Sequence, residues 1–416
     1  MPFRIDEREK ILILGGNTAQ IPLIEASRKE GYYVVLCDYT TTNPGIPLAD
    51  KHYQEDFQNK EKVLEIAKQE NVSGVISNSE AAMPVVAYVC ENMGLVGNTV
   101  GSVQILNSKN EFRDLQKKVG VFSPEHFITE SFEEACEKAK CLSYPIIMKP
   151  CRSSGSRGTT KILDYDEFIT HSKEWEKCSL FSLNRKVVIE EFVEMPDLEK
   201  VIDGDIFIHR GHIIWDGLFS SKRSPKEPML PMTQTFPIIL TEDEINEVKA
   251  TTEKLLKEAG IVFGEFNIEL YYGEEKRLFC IEINARQGGN GIPLMVQKHC
   301  GIDMYKLLVT TVMGHDEYYN QVINAEREYH YVSRHPVFSH VAGRYTGIQL
   351  SEAIKPFVTS IQTYGFEGQV IHRGIMARDK VAMVDLEFPN REIQLQLVQS
   401  IEDHIMPQVE EKWEES

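Results

Sequence analysis

Two short segments carry the side chains whose types and spacing are most suggestive of chemistry. They are Glu265-Phe-Asn267-Ile-Glu269-Leu and Ile281-Glu282-Ile-Asn284-Ala-Arg286. Each alternates polar and apolar residues, and along a strand positions i, i+2 and i+4 share one face. Glu282, Asn284 and Arg286 therefore project together, as do Asn267 and Glu269. The charged turn between the two segments predicts that Glu269 lies opposite or diagonal to Glu282. Two carboxylates and an amide oxygen form a hard, all-oxygen set suited to magnesium that bridges phosphates. Like charges facing each other on a sheet are unfavourable, so the arrangement invites a cation. A solvated sheet face would alternate in the same way. The glycine-rich run Gln287-Gly-Gly-Asn-Gly291, directly after the arginine, favours a site.

Two further segments add phosphate and base chemistry. In Met148-Lys149-Pro-Cys-Arg-Ser-Ser154-Gly155-Ser156-Arg157-Gly158, a lysine ends an apolar strand and a small-residue loop comes next. Such a loop lets backbone N–H groups approach phosphate oxygens. It is not a Walker A loop, which requires Gly-Lys-Ser/Thr; a plain flexible connection has similar composition. In Val187-Val-Ile-Glu190-Glu191-Phe192-Val193, continuing to Glu199, a strand runs into paired acids and a short linker. Main-chain groups there could read an adenine edge, and a later carboxylate could accept ribose hydroxyls. Taken alone, the acid pair reads as a solvated strand end.

These segments need elements to hold them. Lys10–Leu14, Tyr33–Cys37 and Gly74–Ser77 read as buried strands, separated by helices near 19–30, 60–70 and 81–92. That alternation predicts a doubly wound parallel sheet. A helix over 109–119 precedes a middle α+β section. There Asp205–His209 and His212–Trp215 form a hairpin around Arg210-Gly211, and Phe266–Tyr271 pairs with Arg277–Asn284. The remainder reads as short strands and a final amphipathic helix over 393–410. The expected division is 1–108, 109–325 with a lid over about 125–195, and 326–416.

Bulk properties narrow the field. A chain of 416 residues exceeds one ordinary core, at roughly 150 residues per domain. The formal charge of -18, from 45 basic and 63 acidic residues, argues against nucleic-acid or anionic-membrane partners. The charged start and the short apolar run Ile11–Leu14 predict neither a signal peptide nor a membrane span, so a cytoplasmic location is expected. The eight cysteines form no Cys-x-x-Cys pair, which predicts reduced thiols. His209 and His212 flank the hairpin turn with no further Cys or His ligands nearby, and read as strand-end histidines.

Together and in this order, the segments resemble the ATP-grasp superfamily over nearly the whole chain. The resemblance implies an ATP-grasp fold, mixed α/β and α+β, behind an N-terminal parallel βαβ (pre-ATP-grasp) domain. It implies that Lys109 reaches the phosphates of ATP, that Lys149 lies near the adenine and α-phosphate, that Ser154 to Gly158 close over the triphosphate, and that Glu190, Glu191, Phe192 and Val193 frame the adenine. Glu199 would hold the ribose, although Met-Pro-Asp replaces a glycine usual in that linker. Glu269, Glu282 and Asn284 match the Mg2+ (or Mn2+) ligands, and Arg286 with Lys109 the catalytic cations. Within the superfamily the loops look most like carboxylate-amine ligases, including L-amino-acid (dipeptide) ligases and carbamoyl-phosphate-synthase-like proteins. That implies an acylphosphate intermediate, ADP and phosphate as products, small-molecule carboxylate and amine substrates, and, as in many relatives, a homodimer. Bicarbonate or purine-precursor ligation and a non-catalytic ATP-binding role stand as alternatives. So does a dinucleotide-binding dehydrogenase, on Gly15-Gly16 and Asp38, although Gly-x-Gly-x-x-Gly is missing.

Overall fold

The computed structural model describes residues 7–152, 158–197, 199–224, 230–273, 278–374 and 379–410. The expected N-terminal pattern forms a four-stranded parallel sheet in the order Lys51–Tyr53, Tyr33–Cys37, Lys10–Leu14, Gly74–Ile76. Its strands are apolar on both faces because both are covered. Leu12, Leu14 and Val35 pack against Val63, Ala67 and Val85 from the helices Lys60–Glu70 and Met83–Met93. On the other face, Ile11, Ile13 and Val34 share a core with Met304, Leu307 and Val312 of the helix Met304–Val312. That core continues into Phe207 and Phe219, so the parallel sheet is welded to the strands of the main body.

The main body is one antiparallel sheet of eight strands. Its order is Leu278–Asn284, Gly264–Tyr272, Val201–His209, His212–Arg223, Pro231–Phe236, Tyr331–Val337, Ala382–Phe388, Val358–Thr363. The expected hairpin turns at Arg210 (φ 52) and Gly211 (φ 76), the two positive dihedrals that a tight two-residue connection needs. One face of the first three strands buries Ile206, Phe266, Ile268 and Ile283 beneath the helix Glu242–Glu258. A smaller antiparallel sheet, His126–Thr129, Val187–Glu191, Ile146–Pro150 and Thr160–Ile162, lies over its opposite face.

The C-terminal end departs from the sequence reading. The single helix expected over 393–410 is a helix Arg391–Gln399, a further turn Ile401–His404 and a strand Ile405–Glu410. The strand pairs with Gly343–Leu350. Pro407 disfavours a continuing helix, and alternate residues Ile405, Pro407 and Val409 are less exposed than their neighbours. A free strand edge outcompeted helical periodicity. Among the described residues, no helix is long and apolar enough to cross a membrane. All eight cysteines are free thiols.

Candidate active site

The site grows from the pleat of three neighbouring strands. Pairing puts Glu269 directly opposite both Glu282 and Asp203, and Asn267 directly opposite both Asn284 and Asp205. A row of three acids therefore crosses the sheet beside a row of two amides and an acid. An apolar patch of Val201, Tyr271 and Phe279, packed with Val193 and Phe122, borders the acid row on the same face. The amide of Asn284 donates to Glu282 Oε1 at 3.0 Å, and Asn267 Nδ2 donates to Asp203 Oδ1 at 2.9 Å and Asp205 Oδ1 at 3.1 Å. Asp205 also accepts the backbone N–H of Gly288 on both oxygens at 2.9 Å. Only glycine fits there, since a Cβ would lie 2.6 Å from Asp205 Oδ1 and 2.8 Å from Asn267 Nδ2. The glycine-rich loop is thereby anchored behind the acid row.

Crowding of carboxylates sets the electrostatics. Burial first, then the charges of Glu282 and Asp203, push Glu269 up to about 7, against the pull of Arg223. Burial raises Asp203 and Asp205 to about 6. Glu265 is pushed well above its ordinary value by burial and by the neighbouring Asp205. Glu282 behaves oppositely: burial is overcome by Lys109, the Asn284 amide, Arg286 and Lys149, which hold its carboxyl low. A glutamate held low by three cations thus stands opposite one that burial and neighbouring acids push up.

Facing this surface, the smaller sheet supplies Lys149 and Glu190, ion-paired and both buried. Lys149 is pulled down to about 8 by burial and by the neighbouring Arg113 and Lys109 charges. Burial would raise Glu190, but Arg113 and Lys149 outweigh it and hold the carboxyl at about 2. Arg113 joins the two sheets: Nε donates to Glu190 at 3.0 Å, and its Nη groups donate to the carbonyls of Cys280 at 3.2 Å and Ile281 at 3.0 Å. Those carbonyls are presented by an irregularity. Glu269 pairs with Glu282 but Leu270 pairs with Cys280, so Ile281 is an extra, bulged residue.

The expected residues are thus distributed unevenly. Glu269, Glu282, Asn284 and Arg286 come together on the large sheet. Lys109 opens the helix Lys109–Lys118, its backbone N–H bonded to the Cys151 carbonyl at 3.2 Å. Glu190 is committed to Lys149 and Arg113, so its carboxylate is not directed at a base. Glu191 accepts from the Ser143 N–H at 2.8 Å, Lys161 stands 3.8 Å over the Phe192 ring, and Val193 joins the apolar patch. Glu199 is exposed and pairs with Lys222 at 3.0 Å. Ser154, Gly155, Ser156 and Arg157 lie outside the described residues. Gly158 is described, with φ 75.

Sequence reasoning missed Arg113, Asp203 and Asp205, gave Glu80 no role, and marked Arg223 only as the start of a segment, 223–234, that could meet substrate. Arg223 pairs with Glu269, and Glu80 approaches Arg286 at 3.5 Å from the N-terminal unit. The alternation Asp203-Gly-Asp205 was the available signal, the same one that exposed Glu282 and Asn284. His209 is a satisfied core histidine, 2.8 Å from Asp316 and packed edge-on against Tyr319. Asp38 is buried and spent on its own loop, accepting from Gly16 N at 2.6 Å, Thr40 N at 2.9 Å and Asn43 Nδ2 at 2.8 Å. It therefore does not face a ribose.

A metal fits the donor set in a particular way. Among the described residues, no three His, Cys, Asp or Glu side chains converge as a complete cage. Glu269, Glu282 and Asn284 would hold only part of a cation's shell, leaving the rest to phosphate oxygens and water, as magnesium prefers. The raised Glu269 is what a cation would relieve.

With that geometry in place, likeness to known proteins is informative. Residues 142–293 match the model of the ATP-grasp domain. The chain carries an ATP-grasp domain. Its sequence is 25% identical over 330 residues to the carbamoyl phosphate synthase large chain of Pseudothermotoga lettingae, covering 74% of this chain and 28% of that one. The chain thus spans under a third of the curated relatives it matches. In structure, it is similar to L-amino acid ligase from Bacillus licheniformis, with TM-score 0.78, 17% identity and coverage of 98% and 100% of the two chains. It is also similar to the biotin carboxylase domain dimer of Hydrogenobacter thermophilus 2-oxoglutarate carboxylase, solved with MgADP, ADP and bicarbonate. There the TM-score is 0.68, with 16% identity and coverage of 97% and 92%. These likenesses establish the ATP-grasp fold behind a parallel βαβ unit.

Proposed function

We propose that the chain is an ATP- and magnesium-dependent ligase that activates a carboxylate for attack by an amine, releasing ADP and phosphate. The observation that carries this is the direct pairing of Glu269 with Glu282, facing the cations Lys109, Lys149 and Arg286. Magnesium (or manganese) held by Glu269, Glu282 and Asn284 would neutralise phosphate charge. Phosphoryl transfer asks mainly for positioning and charge compensation, which these side chains supply. The substrate carboxylate oxygen bonds to the γ-phosphorus as the bond to ADP breaks, giving an acylphosphate. The amine then bonds to the acyl carbon, loses a proton and expels phosphate. Adenine would lie on the apolar patch of Val193, Val201, Tyr271 and Phe279, with Glu191 and Phe192 alongside and Glu199 at the ribose. Lys149, kept in place by Glu190, would reach the phosphates, and the loop through Gly158 would cover them.

The test is a phosphate-release screen with ATP and magnesium, in which amino acids are supplied singly and in pairs. Release that needs two amino acids supports peptide-type ligation, and AMP as product contradicts the mechanism. Bicarbonate belongs in the screen because of the likeness to a bicarbonate-bearing structure. Release with bicarbonate alone would favour that second reading.

A further inference from the structure

The strand His212–Arg223 ends by bringing a guanidinium against the acid row. Arg223 donates through Nη2 to Oε1 of Glu269, the carboxylate that stands directly opposite both Glu282 and Asp203. Its charge acts on Asp203 as well, whereas Lys109, Arg286 and Lys149 act on Glu282. The cations are thus divided between the two ends of the row. Only 14% of the Arg223 side chain and 25% of the Glu269 side chain are exposed, so solvent and salt screen the pair little. The strand end that carries Arg223 is itself held. Lys222, the preceding residue, bonds Glu199 at 3.0 Å and the carbonyl of Gln399 at 2.8 Å. Register slips between Lys222, opposite Thr233, and Arg223, opposite Pro231, and such a bulge re-aims the side chains beside it.

Glu269 therefore has two claims on it. A divalent ion held by Glu269, Glu282 and Asn284 competes with Arg223 for the same carboxylate. Free metal that won this competition would leave a largely buried guanidinium without its partner, which is costly. Metal that arrives on a nucleotide brings phosphate oxygens in the same event, and a guanidinium binds phosphate as readily as carboxylate. That exchange leaves no charge unpaired.

We propose that Arg223 is a positioning residue that holds Glu269 in the nucleotide-free chain, so that the site selects metal bound to nucleotide over free metal. This role rests on the metal half of the ligase reading. The test is Mn2+ titration of the full chain, with and without ADP, followed by the electron paramagnetic resonance of unbound Mn2+. The wild-type chain should bind free Mn2+ weakly, and ADP should tighten it beyond what ADP binds by itself. Arg223→Gln should tighten free Mn2+ at least about tenfold, the coupling expected of charges in contact, with a smaller gain when ADP is present. Arg286→Gln removes an equal charge from the Glu282 end and should give less than about a third of that gain. Circular dichroism should match wild type in both. If Arg223→Gln does not fold, Arg223→Lys makes the same test with a shorter reach and should show part of the gain. Unchanged free-Mn2+ affinity in the folded Arg223 variant, or an equal gain in Arg286→Gln, would overturn the proposal while leaving the metal assignment standing. A chain that binds no Mn2+ even with ADP would remove the metal assignment itself, and the role of Arg223 with it.

Discussion

At the scale of single residues, the site depends on buried charges that hold one another. Glu282 is the carboxylate best supported by cations, so its charge can be removed with little change of shape. Glu282→Gln should lower ATP turnover at least about a hundredfold with an unchanged circular-dichroism spectrum, since electrostatic groups at a transferred phosphoryl carry most of the rate. Wild-type turnover in that variant would remove the metal assignment. Lys149→Ala should chiefly weaken nucleotide affinity, read as a raised KM for ATP with a smaller effect on kcat. Arg113 is different in kind. Its partners are Glu190 and the carbonyls of the bulged strand, all buried. Arg113→Met strands a buried carboxylate, a loss of about 3–5 kcal/mol that the Lys149 pair softens. Urea unfolding measures it, and Arg113→Met combined with Glu190→Gln should recover part of the loss.

Strand pairing explains the pH behaviour. Asp203, Asp205 and Glu269 have folded values near 6 to 7, against roughly 4 for unfolded carboxylates. Between those values the folded chain holds more protons than the unfolded chain, so stability falls as pH rises from about 4 to 7. Glu190, Asp385 and Glu70 sit near 2 and act with the opposite sign. Their contribution is complete above roughly the unfolded carboxylate value of about 4 and does not oppose the trend at higher pH. Urea midpoints measured from about pH 4 to 7 should decline with pH, and magnesium should flatten the decline. Glu269→Gln should flatten it without magnesium. A decline insensitive to both would show that these acids are not the cause.

For the whole molecule, the large sheet makes distant parts interdependent. The strand Pro231–Phe236 has Tyr331–Val337 as its outer neighbour, and Gln394 Nε2 donates to the carbonyls of Phe236 at 2.9 Å and Val332 at 3.1 Å. A chain ending at Ala325 would lose that neighbour and expose a strand edge, which templates aggregation. We expect it to be recovered only in the insoluble fraction on expression; a soluble monomer with ATP turnover would show that the C-terminal strands are dispensable. The N-terminal unit is tied in as firmly, through Asn98, whose amide spans the carbonyl of Phe263 at 2.6 Å and the N–H groups of Val262 and Phe263.

Sequence by itself determined what is periodic or local. Alternation placed Asn267, Glu269, Glu282 and Asn284 on pleated strands, and the apolar runs with their helices specified the parallel unit. Order along the chain carried the ATP-grasp resemblance. Tertiary structure alone decided which charges meet. Arg113 and Glu190 are 77 positions apart, Arg223 and Glu269 46, and Arg286 and Glu80 206. No period links such pairs; they are set by sheet register, by one bulge at Ile281 and by the stacking of two sheets. The same reason governs the last segment, where a partner strand distant in sequence turned an expected helix end into Ile405–Glu410.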